Sequence, residues 1–222
     1  MAGAAMVAAS VPGVAFAAAD DCRVVNVGTT RACTALEDAL FDARPGARLT
    51  LRGRCAGPVT VARGVRIRGV RAAGSGAPRI DAATGPVVTV DPGVRLTLRG
   101  ITIGGATSSG GDAAGLAIGT GAAVRLFTTS VVDTTSAGGA AIVTRGTLRI
   151  EGASVIHGNT SDASAGGIDI LGGRTTIAGT ALLTENTGKQ GGAVRVRTGG
   201  TLVIGASARK RTTGAGSSAG GR

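Results

Sequence analysis

Apolar and polar residues alternate in short runs along most of the chain. Leu49/Leu51, Val59/Val61, Val65/Ile67, Val88/Val90, Leu96/Leu98 and Ile101/Ile103 each set two aliphatic side chains on one side of an extended segment, with polar residues between them. A period of two predicts half-buried β-strands. Each run gives way within a few residues to Gly, Asp or Pro, which marks turns. One stretch departs from this rhythm. At residues 34–43, Thr34 and Glu37 have the spacing of a capping box, Leu36, Leu40 and Phe41 share one helical face, and Arg44-Pro45-Gly46 forms a stop. These signals predict a helix over 34–43.

The strand runs recur. Leu148-Arg149-Ile150-Glu151-Gly152, then Asn159, then Gly166-Gly167-Ile168 is followed by Thr175-Thr176-Ile177-Ala178-Gly179, Asn186 and Gly191-Gly192-Ala193. The anchors Ile67, Leu98, Leu126, Ile150, Ile177 and Ile204 follow one another at steps of 31, 28, 24, 27 and 27 residues. Fixed anchors with variable spacers characterise a solenoid whose insertions sit in its turns. The expected fold is therefore all-β, a right-handed parallel β-helix entered through one N-terminal capping α-helix. Like anchors would stack at about 4.8 Å per coil. Gly167 and Gly192 would supply tight bends with left-handed backbone, and Asn159 and Asn186 a short amide ladder continued by Thr135. The expected divisions are a signal peptide at 1–19, a cap at 20–48, the β-helix at 49–205 and a disordered basic Gly/Ser-rich tail at 206–222.

Composition sharpens this picture. The chain has 222 residues, 40 of them Gly, with three Phe and no Trp or Tyr. Stacked Val, Ile and Leu can fill a solenoid without aromatics, whereas nucleic-acid stacking platforms and sugar-binding faces use them. Nucleic acid is thus disfavoured as a partner. The net charge is +11, and all but Lys189 and Lys210 of the 24 basic residues are arginine. That excess fits an anionic cell-wall or extracellular polymer; it also fits a GC-rich genome that favours Arg, Ala and Gly codons. Met1 to Ala17 is uncharged and ends in Ala15-Phe16-Ala17, the cleavage pattern of an export signal. No other segment is long and apolar enough to span a membrane, so the expected location is secreted or cell-surface. Cys22, Cys33 and Cys55 allow three pairings in an exported chain, with Cys33–Cys55 the working expectation.

The paired motifs Gly158-Asn159-Thr160 with Gly166-Gly167-Ile168, and Glu185-Asn186-Thr187 with Gly191-Gly192-Ala193-Val194, resemble polymorphic outer-membrane-protein repeats. More broadly the chain looks like the pectin-lyase-like superfamily of parallel β-helices. Residues 34–103 resemble the N-terminal coils of exported actinobacterial members. The resemblance spans about residues 34–205 and implies the fold. For function it implies a range from lyases and hydrolases to adhesins. Unlike in the outer-membrane type, an autotransporter barrel is not expected from these residues, and outer-membrane anchoring is not part of the expectation.

Candidate chemistry is sparse. Asp133 and His157 each follow an aliphatic residue at aligned repeat positions, which makes them the one candidate acid–base pair. The only histidine is His157, so no zinc site is expected, nor any cofactor. One outward column reads Arg66, Thr97, Arg125, Arg149, Thr176 and Val203, a candidate polyanion strip of Arg66, Arg125 and Arg149. The leading expectation is a non-catalytic surface protein with a structural or adhesive role. The alternatives are a polysaccharide lyase or hydrolase, a polyanion-binding surface protein, and a truncated fragment without activity. The tail after Ile204 has no large apolar residue, so the last coil is expected to need further coils or a partner to cover it.

Overall fold

The computed structural model describes residues 22–71 and 76–205 in full and the backbone of 209–210. The expected signal peptide lies outside these residues. The described chain is a parallel β-solenoid with almost no helix. Its coils contribute one strand each to four sheets of nine, seven, six and four strands. The nine-stranded sheet runs from Ala32–Cys33 and Arg23–Asn26 through Ala47–Arg52, Val65–Gly69, Arg95–Arg99, Ala123–Phe127, Thr147–Glu151 and Gly173–Ile177 to Gly200–Ile204. From Ala47–Arg52 onward its pairings are parallel.

The anchors stack as the repeat requires. Ile67 pairs with Leu98, Leu98 with Leu126, Leu126 with Ile150, Ile150 with Ile177, and Ile177 with Ile204. Period two turns one set of side chains inward, and the coil repeat lays that set on its equivalents above and below. Leu, Ile, Val and Ala therefore form the core, and the largest fully buried side chains are all Leu or Ile. Ile204, on the last strand of the nine-stranded sheet, is 53% exposed.

The first coil is bounded by a short antiparallel element. Arg23–Asn26 pairs antiparallel with both Ala32–Cys33 and Ala47–Arg52. The helix spans Leu36–Phe41, shorter than the expected 34–43. Thr34 is not its cap. The pairing of Ala32–Cys33 leads into a chain still extended at Ala35 (φ −125°, ψ 143°), so the N-cap falls on Ala35, which has no side chain to donate or accept a bond. Its inner face is Leu36, Ala39 and Leu40, not Phe41, which is 79% exposed.

The expected Cys33–Cys55 bridge does not form. Cys22 pairs with Cys55 and Cys33 is free. Strand pairing decides this. Cys33 is committed to its partner Val24, whereas Cys22 lies beyond the paired end of its strand, opposite the buried Cys55. Past residue 205, Arg209–Lys210 adds a strand beside Leu182–Leu183. The rest of the expected tail lies outside the described residues.

The Gly166-Gly167 pair works by closeness rather than by handedness. Gly167 does not adopt left-handed backbone; a Cβ there would stand 2.4 Å from the Ala193 carbonyl of the next coil. In the 191–192 pair the residue with positive φ is Gly191, at 131°. Gly167→Ala should therefore force two coils apart and cost about 2–4 kcal/mol, seen as a lowered urea midpoint with an unchanged slope. A cost below 1 kcal/mol would mean that the coil spacing gives way easily.

The amide ladder is present. Asn159 Nδ2 donates to Asn186 Oδ1 at 2.8 Å and to the Val131 carbonyl at 3.0 Å, and Asn186 Nδ2 donates to the Ile156 carbonyl at 2.7 Å. Its upper end is Thr134, not Thr135. The Thr134 amide and hydroxyl both donate to Asn159 Oδ1, while Thr135 points outward beside Thr160. One inserted residue explains the shift. The turn after Glu151 is one residue longer than the turn after Phe127, since Phe127 pairs with Glu151 but Ser130 pairs with Val155.

Candidate anion-binding face

The same insertion moves the candidate acid–base pair out of register. His157 stands beside Val132, and Asp133 falls level with Gly158. Asp133 is a turn residue with φ 54°, its amide donating to the His157 carbonyl at 3.2 Å. The His157 ring faces a different acid, with Nδ1 3.8 Å from Glu185 Oε2. Asp133 and His157 are thus backbone neighbours one position out of register, and no side-chain hydrogen bond or ion pair joins them. Asp169 is the one buried carboxylate of the six-stranded sheet, at 1% exposed. It accepts from Ser164 Oγ and from Arg197 Nη2 at 2.6 Å. Hydrogen bonding to Asp169 holds Arg197 more firmly in its charged form, outweighing partial burial. This carboxylate is committed to structure.

The expected strip on the nine-stranded sheet is in register throughout. Arg66 pairs with Thr97, Thr97 with Arg125, Arg125 with Arg149, Arg149 with Thr176, and Thr176 with Val203. It is part of a wider face. Residues two positions along each strand share the same side of the sheet, so Arg23, Arg48, Arg52, Arg68, Arg95, Arg99 and Arg174 join it. All ten arginines are exposed. The sequence pattern already carried six of these, because each is two residues from an outward position of its own strand; Arg23 joins through the antiparallel strand Arg23–Asn26, which the alternation did not announce.

Among the described residues this face holds a single carboxylate, Glu151. Arg125 Nε donates to its Oε2 at 2.6 Å, and Arg149 Nη2 and Nε donate to its Oε1 at 2.8 and 3.0 Å. Partial burial raises the Glu151 pKa, but the hydrogen bonds from Arg149 and Arg125, with their charge attraction, outweigh it and hold the carboxyl below 4.5. A depressed carboxylate stabilises the fold above its unfolded pKa and loses that contribution as pH falls through the lowered value. NMR titration should place the Glu151 midpoint below that of an ordinary glutamate, and Arg149→Gln should move it back upward. Phe127 lies between the two strands' arginines, with Arg99 and Arg125 guanidinium carbons 5.0 and 5.7 Å from its ring centre.

No helix among the described residues is long and apolar enough to cross a membrane. No family model matches the chain, and no match was found among curated proteins or solved structures.

Proposed function

We propose that the chain is a non-catalytic scaffold of structural or adhesive role that holds an acidic polymer against its arginine face. The observation carrying this reading is ten exposed arginines on one sheet face with a single carboxylate among them. A low-dielectric solenoid wall beneath such a face concentrates its field and draws anions to it. The helix Leu36–Phe41 and the antiparallel strand Arg23–Asn26 serve in this reading as the N-terminal cap. Export to the cell surface accords with the Cys22–Cys55 disulfide, a bond that persists in oxidising compartments. Kinship with the pectin-lyase-like β-helices belongs to the same proposal and rests on the repeat motifs alone.

The test is chromatographic. The protein should be retained on dextran sulfate and not on neutral dextran, with retention falling steeply as salt rises. A variant with all ten face arginines changed to glutamine should flow through. Equal retention of that variant would sink the reading, as would release of new reducing or unsaturated ends from a polysaccharide panel.

A further inference from the structure

Five times among the described residues two arginines stand side by side on neighbouring strands: Arg23/Arg52, Arg48/Arg66, Arg68/Arg99 and Arg125/Arg149 on the nine-stranded sheet, and Arg54/Arg79 on the seven-stranded sheet. Like charges in register repel. Two of the pairs carry their own remedy. Glu151, two residues after Arg149, bridges Arg125 and Arg149. Asp81, two residues after Arg79, accepts from Arg79 Nε and lies 2.7 Å from Arg54 Nε. In both, one carboxylate sits between two guanidinium groups contributed by successive coils.

The other three pairs have no such partner among the described residues. Where Glu151 and Asp81 stand in the remedied pairs, the pair Arg48/Arg66 has Arg68, and the pair Arg68/Arg99 has the buried Ile101. Arg48, Arg66, Arg68 and Arg99 therefore form an unbroken zigzag of positive charge across three coils.

We infer that the Arg48/Arg66 and Arg68/Arg99 pairs are two sites for sulfate or phosphate ester groups of one acidic polymer, each group taking the place that Glu151 fills between Arg125 and Arg149. This inference rests on the polyanion reading and locates its ligand. The planar guanidinium fork suits such oxyanions. The two sites are displaced by one coil and by two residues along the strand, which sets their centres about 8 Å apart. That separation calls for a chain of anionic groups rather than one small ion. The Arg125/Arg149 pair, whose shared place Glu151 already fills, adds to the field of the face but offers no such site.

Two double variants test this, Arg66→Gln/Arg68→Gln and Arg125→Gln/Arg149→Gln, with dextran sulfate and inorganic phosphate as probes. The first should weaken dextran sulfate binding about tenfold and reduce its salt slope by roughly two. The second, on the same face but with its charge partly offset by Glu151, should weaken binding only about threefold. Without ligand, the first variant should melt no lower than the parent, because it removes repulsion rather than a contact. Equal losses from both variants would overturn the inference and leave a diffuse polyanion face. A first variant that binds as the parent does would also overturn it. Protection by inorganic phosphate at concentrations matching the polymer's charged groups would overturn the polymer as occupant. Failure of the unaltered protein to bind dextran sulfate would remove the polyanion reading itself.

Discussion

Asn159→Ala should be among the most destabilising single substitutions in the chain. Asn159 is fully buried and links three coils. Its Oδ1 accepts from both the amide and the hydroxyl of Thr134, its Nδ2 donates to the Val131 carbonyl and to Asn186 Oδ1, and its own amide donates to Asn186 Oδ1 at 3.2 Å. Truncation leaves the buried Thr134 amide, Thr134 hydroxyl and Val131 carbonyl without these partners and opens a small void. Each buried group so orphaned costs about 1–3 kcal/mol, so a total of about 3–5 kcal/mol is expected, allowing for relaxation. Asn186→Ala should cost less, since Asn186 lies one coil nearer the last described strand and its loss leaves the Thr134 contacts intact. Urea denaturation of both variants checks this. A loss under 1 kcal/mol for Asn159→Ala, or the reverse order of the two, would show that water replaces the ladder.

The second large effect concerns the disulfide. Cys22 and Cys55 are 33 residues apart, and Cys55 is fully buried in the core of the first coils. Closing a loop of that length restricts the unfolded chain by about 4 kcal/mol in the loop-entropy account. Cys22→Ser should lower stability by about that amount. Cys33→Ser should cost far less, because Cys33 is half-buried and unbonded. Peptide mapping under non-reducing conditions should join the peptide of Cys22 to that of Cys55, with an alkylating label on Cys33 alone. A Cys33–Cys55 peptide, or equal destabilisation by Cys22→Ser and Cys33→Ser, would refute the pairing.

The architecture was open to reading from local signals. Alternation of period two tells which side chains point inward. The recurrence of Leu98, Leu126, Ile150, Ile177 and Ile204 tells which inward residues stack, because stacking needs only equal position within each coil. For the same reason the outward column of Arg66, Thr97, Arg125 and Arg149 was in register in the sequence, and the Asn159–Asn186 step was too. The helix was visible but misplaced at its start, since a capping box describes a free chain and Ala32–Cys33 is held extended by Val24 and Val25.

What depended on the tertiary structure is whatever crosses a turn or joins separate elements. One extra residue in the turn after Glu151 slides the next two strands of that coil by one position. It puts Thr134 rather than Thr135 on the ladder and sets Asp133 one position out of register with His157. Turn composition does not announce such a slip, because Gly-Ala-Ser and Thr-Thr turns are both favourable locally. The choice of Cys22 over Cys33 required knowing which strand each cysteine was committed to. The gathering of ten arginines on one face, with Glu151 serving one adjacent pair and none serving Arg48/Arg66 or Arg68/Arg99, depends on which coils neighbour one another. Alternation along a strand is set by backbone geometry within a few residues, so the sequence determines it alone. Adjacency between coils is set by the length of every intervening turn and by the packing of the whole stack, so only the folded chain decides it.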